Sequence, residues 1–312
     1  MCRKHNGNSG QGDYNDVMVA HDENIGVMLH KLDELNIADD TIVLYSTDNG
    51  PHYNSWPDAG ITPFRSEKNT NWEGGWRVPI FVRWPGKIEP RSVFNEVVSH
   101  QDWLPTLLAA AGESDVAQKL LGGHRIGGKT YKVHIDGYNL LPYLTGEAKE
   151  SPRKFFFYIS DDGDILAIRM RDWKVVLMEQ RAKQLMCWFE PFVKLRAPKM
   201  FNLRRDPFER ADENSNTYWD WLLSHAYIMY EMQAIVAQQI GTSKNFRRAR
   251  SRPHLIWTRS CASSRTPPAA PTIDRGLELP RHQARCRQLA GARVIGEDRG
   301  PQAMLAAELL GA

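Results

Sequence analysis

The feature that most restricts the fold is a run of six residues, Thr41-Ile42-Val43-Leu44-Tyr45-Ser46, β-branched or apolar on both faces and stopped soon after by Asp48-Asn49-Gly50-Pro51. A strand that is apolar on both faces has to be covered on both, which is the situation of a strand in a parallel sheet. Upstream, between Tyr14 and Asn36, Val17, Ile25, Met28, Leu29, Leu32 and Leu35 recur mostly at helical spacing with acidic residues opposite, which predicts an amphipathic helix. Helix, short polar loop, buried strand and polar turn is the order of an α/β fold. Ligands of such folds gather at the carboxyl ends of the strands, where Asp48 and Asn49 fall.

A long loop rich in Pro, Asn and Gly follows, and Val78–Gly86 reads as a second short strand bounded by breakers. Loops of that length inside compact domains are usually functional. Asp102–Gly112 reads as a short helix with Pro105 in its first turn and Gly112 as its stop. After about residue 150 the pattern changes to short strands, Phe155–Ser160, Ile165–Arg171 and Trp173–Glu179, separated by Asp/Gly and Arg-Asp turns, which predicts an antiparallel meander. Met200–Leu203 is a final strand, and Thr217–Ile240 a closing helix with Trp219, Leu222, Leu223, Ala226 and Tyr227 facing inward. The expected organisation is a flexible start (1–12), a partial α/β core (13–150), an antiparallel subdomain with a closing helix (151–246) and a disordered Arg-, Pro- and Ala-rich tail (247–312).

The 312 residues are 42% hydrophobic, enough to bury a substantial core, and the formal charge of +3 conceals a division. Residues 247–312 hold 12 arginines against 5 acidic residues, leaving 28 basic and 32 acidic residues in 1–246. A mildly acidic body gives no electrostatic reason to expect nucleic acid or an anionic membrane as a specific ligand. There is no run of about eighteen apolar residues, so no membrane-spanning helix is expected, and the first residues lack the apolar core of a signal peptide. Cys2, Cys187, Cys261 and Cys286 are sparse and irregularly spaced. The chain as written is therefore expected in the cytoplasm, with a periplasmic or secreted location if its true start lies upstream.

Several residues offer chemistry. Asp48 and Asn49 place a carboxylate and an amide oxygen at a strand end, and hard cations such as Ca²⁺ take such ligands, although Asp-Asn-Gly is equally a turn sequence. Lys68 can set a point charge against a tetrahedral anion, or be an ordinary solvated loop lysine. Glu73-Gly74-Gly75 gives a loop the freedom to approach a ligand closely, and Arg77 can pair with Glu73 or another carboxylate. His52 is the histidine nearest the Asp48-Asn49 turn and is a candidate substrate contact, whereas His21 and His100 read as structural or solvated. The pairs Trp72/Trp76 and Trp219/Trp221 read as packing.

The joint occurrence, in order, of Ser46-Thr47-Asp48-Asn49-Gly50-Pro51, Glu67-Lys68-Asn69-Thr70-Asn71-Trp72-Glu73-Gly74-Gly75-Trp76-Arg77-Val78-Pro79, Trp84-Pro85-Gly86-Lys87-Ile88, Asp102-Trp103-Leu104-Pro105-Thr106-Leu107-Leu108 and Phe201-Asn202-Leu203 with Asp206-Pro207 resembles the sulfatases, the arylsulfatase-like branch of the alkaline phosphatase superfamily. The resemblance covers roughly residues 12–245. It implies a partial alkaline-phosphatase-like sheet sandwiched by helices, followed by a small antiparallel β subdomain. It further implies that Asp48 and Asn49 match two Ca²⁺ ligands, that Lys68 matches the lysine contacting the sulfate group, and that the substrate is a small-molecule or glycan sulfate ester. In the family a formylglycine hydrate, made from Cys or Ser in a C-x-P-S-R-type motif, attacks sulfur.

That motif, the paired aspartates ahead of it and the further Lys and His elements have no counterpart in residues 1–47, so the expectation is an incomplete Ca²⁺ ligand set and no turnover by the chain as written. Cys261-Ala262-Ser263-Ser264-Arg265 imitates the formylglycine signature but carries Ser263 where proline or alanine is expected and follows the remaining motifs instead of preceding them. Two other readings are a phosphodiesterase or phosphonate hydrolase of the same superfamily and a non-catalytic binding module.

Overall fold

A computed structural model describes residues 3–246; the segment from 247, with its expected disorder and its Cys261 motif, lies outside the described residues. Helix α1 (Asp13–Glu34) leads to strand β1 (Val43–Ser46), and the one-turn helix α2 (Glu73–Trp76) precedes strand β2 (Ile80–Arg83). Then come helices α3 (Trp103–Ala110) and α4 (Val116–Gly122), a hairpin of β3 (His124–Ile126) and β4 (Lys129–Tyr131), and the one-turn helix α5 (Leu141–Leu144). Strands β5 (Phe155–Ile159), β6 (Ile165–Met170), β7 (Trp173–Glu179) and β8 (Val193–Asn202) are followed by helices α6 (Ala211–Asn214), α7 (Tyr218–Ser224) and α8 (Tyr227–Asn245). The protein is a mixed α/β chain with antiparallel sheets and several helices.

The best-buried region is the four-stranded antiparallel sheet in the order β5-β6-β7-β8. Ile165, Leu166, Ala167 and Ile168 are all buried, so both faces of β6 are covered. Trp72 packs edge-on against Phe201, and Trp76 edge-on against Phe156 and Tyr158, which lays the segment around α2 on the sheet. Trp173 stacks on Trp221, which lays α7 on it as well. The three predicted meander strands fall where the alternation and the Asp/Gly turns put them.

Two expectations need correction. The run 41–46 read as a buried strand of a parallel sheet. Instead β1 pairs antiparallel with β2, Val43 opposite Arg83 and Ser46 opposite Ile80, and no third strand flanks this ribbon among the described residues. Leu44 and Phe81 are consequently exposed, as are Val27 and Met28 of α1, whose only buried residue is Asp16. The apolar pattern recorded a need for cover that the described residues do not meet. The predicted closing helix is two helices broken at His225, and of the residues expected inward Leu222 is buried while Trp219, Leu223 and Tyr227 are exposed. The Tyr218 hydroxyl donates to Met200 O at 3.1 Å and accepts from Met200 N at 2.9 Å, which fixes the rotation of α7; after the break Ile228, Met232 and Val236 point inward at four-residue spacing.

Ahead of α1, residues 7–12 wrap the buried carboxylate of Asp16, which accepts from Gly7 N at 2.6 Å and from Ser9 N and Oγ at 2.8 and 2.6 Å. The covering atoms come from this loop, with little protein beyond it.

Candidate active site

The turn after β1 and the loop before α2 are locked together through the main chain. Gly50 N donates to Gly75 O at 3.0 Å, and Lys68 N donates to Pro51 O at 2.9 Å. A Cβ on Gly50 would stand 1.8 Å from Gly74 O, and one on Gly75 would stand 2.5 Å from Glu67 O. Only glycine allows two backbones this close, so Asp48-Asn49-Gly50 and Glu73-Gly74-Gly75 work as one unit that fixes Lys68 beside Asp48 and Asn49.

Glu67 anchors the loop from inside. Fully buried, its carboxylate accepts from Tyr53 N and from Gln184 N, each at 2.7 Å. Asn69 Nδ2 donates to Cys187 O. These bonds bring the turn 184–188 against the Lys68 loop. Cys187 itself is buried, and burial first, with the Glu67 charge second, pushes its thiol up to about 11, so it stays neutral and unreactive near neutral pH.

Beneath α2 lies a buried charge cluster. Lys174 Nζ sits 3.1 Å from Glu73 Oε1 and 2.7 Å from Glu209 Oε1, and donates to Asn71 O at 2.8 Å. Glu73 N donates to Glu209 Oε2 at 2.7 Å, and the Tyr158 hydroxyl donates to Glu73. Burial pushes Glu73 up, but Lys174, then Arg169 and the Tyr158 bond, outweigh it and hold this carboxyl below its ordinary range. Burial pushes Glu209 up, opposed by Lys174 and reinforced by Glu73, and the net direction is upward. One lysine thus serves two carboxylates unequally. Arg77, read as a partner for Glu73 or another carboxylate, is instead exposed with its guanidinium over the Phe64 ring, and Lys174 pairs with Glu73.

Above this floor opens a cavity of about 450 Å³ in which Asp48, Asn49 and Lys68 come together. Among the described residues none of these three side chains makes a hydrogen bond or an ion pair. The Lys68 ammonium lies over the Trp188 ring, 5.7 Å from its centroid. His100, expected to be structural or solvated, lines the same cavity with Nε2 3.2 Å from Ser46 Oγ. It is presented by a turn whose Asp102 is buried in a pair with Arg153.

His52 stands behind Trp188. Its Nε2 lies 3.2 Å from Trp188 Nε1, its Nδ1 lies 3.2 Å from Asn54 N and 3.6 Å from Glu67 Oε2. A neutral imidazole accepts at one nitrogen only. The Asn54 amide points its N–H at Nδ1 and the Trp188 indole points its N–H at Nε2, so the two donors compete for the ring's one acceptor nitrogen.

Asp48 and Asn49 suit a hard cation in kind but not in number. Two oxygens fall short of the six to eight that Ca²⁺ takes, and no group of three or more His, Cys, Asp or Glu that could hold a metal occurs among the described residues. These residues do not by themselves make a Ca²⁺ site.

The family model for sulfatases matches residues 5–113, the stretch that contains Asp48, Asn49, Lys68 and the glycines that hold them together. That stretch is a sulfatase-family segment. The chain is 36% identical to steryl-sulfatase of Mus musculus over 158 residues, covering 49% of this chain and 23% of that protein, and 28% identical to arylsulfatase A of Homo sapiens over 212 residues, covering 64% and 39%. The PsFucS1 sulfatase from Pseudoalteromonas sp. superposes with a TM-score of 0.63 at 26% identity, covering 80% of this chain and 46% of that one. The chain therefore spans less than half the length of these relatives.

Glu67, Trp188 and Lys174 carry no site signal in the sequence. Glu67 adjoins Lys68 but reads as one more loop charge, and Trp188 and Lys174 reach the site from more than 100 residues away, so only the fold makes them neighbours.

Proposed function

We propose that this chain supplies the oxyanion- and substrate-holding part of a sulfuric ester hydrolase of the arylsulfatase type. The observation that carries this reading is the Lys68 ammonium, without an ion pair among the described residues, facing the same cavity as Asp48 and Asn49. A lysine without an ion pair at a fixed position is available to an external anion, and a compact ammonium suits the oxygens of a tetrahedral sulfate. The match of residues 5–113 to the family and the likeness to steryl-sulfatase and arylsulfatase A support sulfate over other anions.

In this reading Lys68 binds and orients the sulfate group, Gly50, Gly75 and Glu67 hold Lys68 in place, and the Lys174 cluster keeps the floor rigid. Asp48 and Asn49 contribute two oxygens to a Ca²⁺ site for which these residues are only part of the ligand set. Residues 1–47 hold no C-x-P-S-R motif, so no nucleophile for sulfur is assigned within this sequence, and the chain alone is expected to bind sulfate esters without hydrolysing them.

The test is a titration of inorganic sulfate followed by calorimetry at constant ionic strength, with 4-nitrophenyl sulfate turnover measured in parallel. Saturable binding that weakens about tenfold or more in Lys68→Ala is expected. Equal binding by wild type and Lys68→Ala would remove Lys68 from the site, and turnover abolished by Lys68→Ala would contradict the expected inactivity.

A further inference from the structure

The cavity contains more than an anion receptor requires. Trp188 belongs to the 3₁₀ turn Gln184–Trp188, and three bonds from the Lys68 side tie that turn down: Gln184 N to Glu67, Asn69 to Cys187 O, and Trp188 Nε1 to His52 Nε2. Yet the indole is 53% exposed. A tryptophan fastened by its N–H and by the turn beneath it, with its ring left open in a cavity, is a preformed surface that pays no ordering cost on binding. Its place is also specific, since the Lys68 ammonium lies over the ring, 5.7 Å from its centroid. An anion held by Lys68 brings whatever it is esterified to against the indole.

The same cavity supplies polar recognition. The turn between β5 and β6 is closed by Ser160 N to Asp164 O at 3.0 Å and Gly163 N to Ser160 O at 2.9 Å, and it presents Asp161 to the cavity. Asp161 makes no hydrogen bond or ion pair among the described residues. A free carboxylate is of no use to a hydrocarbon ring system and accepts readily from hydroxyl groups. A volume of about 450 Å³ lies within the range of small-ligand sites.

We infer that Trp188 and Asp161 select sulfated sugar rings at this site, Trp188 covering one face of the pyranose and Asp161 accepting from its hydroxyls while Lys68 holds the sulfate. The inference rests on the proposed sulfate site and adds to it the class of ester and two specificity-determining residues. It separates a sulfated sugar from an open-chain alkyl sulfate, which offers neither a ring face nor hydroxyls. It also separates it from a flat hydrocarbon sulfate, which would leave Asp161 facing an apolar surface.

The experiment compares dissociation constants of galactose 6-sulfate, hexyl sulfate and inorganic sulfate on the 312-residue chain and on Trp188→Ala, Trp188→Phe and Asp161→Asn, each checked for an unchanged circular dichroism spectrum. The readout is the ratio of each ester's affinity to that of inorganic sulfate, so a general change in anion binding cancels. Galactose 6-sulfate is expected to bind about tenfold tighter than inorganic sulfate in the wild type, with hexyl sulfate near unity. The sugar preference should collapse toward unity in Trp188→Ala, persist in Trp188→Phe, and fall severalfold in Asp161→Asn. A wild-type ratio near unity, or a ratio unchanged in Trp188→Ala, overturns the inference while leaving the sulfate site standing. Absence of saturable binding by inorganic sulfate itself overturns both. A preference for hexyl sulfate over the sugar would assign the cavity to apolar esters and contradict the inference outright.

Discussion

Replacing Lys174 by methionine tests the buried charge cluster on which the site rests. The substitution nearly preserves volume but removes the ammonium that lies 3.1 Å from Glu73 and 2.7 Å from Glu209, leaving two carboxylates at most 2% exposed without their cation and Asn71 O without its donor. Breaking a buried ion pair from one side costs about 3–5 kcal/mol, because the remaining charge stays desolvated. For a body of this size that lowers Tm by roughly 6–20 °C. Glu209→Gln should cost less than Lys174→Met, because it removes a carboxyl whose charge burial already disfavours and leaves Lys174 paired with Glu73.

The dependence on pH has a definite sign. In the wild type Glu73 is held below its ordinary 4.5, so its contribution is complete above that value and is lost as pH falls below it. In Lys174→Met burial acts unopposed by the ammonium and raises both carboxyls, so the variant gains stability as pH falls through those raised values. Thermal unfolding at pH 7 and pH 5 should therefore show a gap between the two proteins that narrows at the lower pH. A Lys174→Met melting point within 2 °C of wild type at pH 7, on the scale of the expected roughly 6–20 °C, or a gap that widens at pH 5, would refute the reasoning.

Gly50→Ala places a Cβ 1.8 Å from Gly74 O, so it should destabilise by about 1–3 kcal/mol and weaken sulfate binding although it touches no ligand; an unaffected sulfate titration would show that the turn and the loop are not one unit. Asp16 is held below its ordinary 3.8 by the Ser9 hydroxyl first and then by the Ser9 and Gly7 amides, so the loop it organises is retained above 3.8 and released as pH falls below it. The amide resonances of Gly7 and Ser9 should titrate with a midpoint under 3.8, and a midpoint at or above that value contradicts the assignment. Ca²⁺ should bind the chain alone only at about millimolar concentration or weaker, since two oxygens are a partial ligand set; micromolar binding by calorimetry would show that the set is larger than Asp48 and Asn49.

What the sequence made legible, and what it did not, divides by range of interaction. Strands β5, β6 and β7 announce themselves because alternation and Asp/Gly turns are local signals, and helix α3 does so through Pro105 and Gly112. The break at His225 carries no Gly or Pro, and the rotation of α7 is decided by one hydroxyl on the backbone of Met200, so the inward face of the closing helices is not legible in the sequence. The run 41–46 reads as a strand and contains one, but its pairing depends on what lies beside it, which the four residues Val43–Ser46 do not encode. Within the site, Asp48, Asn49 and Lys68 were recognisable because a motif keeps them in order over 21 residues. The groups that hold or extend them, Glu67 through Gln184, Glu73 through Lys174, and Lys68 beside Trp188, join residues more than 100 positions apart. Arg77 shows the opposite case, a plausible neighbour displaced by a distant lysine.

The central claim is that Lys68 binds a tetrahedral oxyanion in the cavity it shares with Asp48 and Asn49. Its most direct test is a crystal of the chain soaked in selenate, a sulfate analogue with an anomalous signal. The account predicts a selenium peak in the cavity, with an oxygen within hydrogen-bond reach of Lys68 Nζ, that disappears in Lys68→Ala. Selenate bound only elsewhere, or a cavity peak that survives in Lys68→Ala, would contradict it.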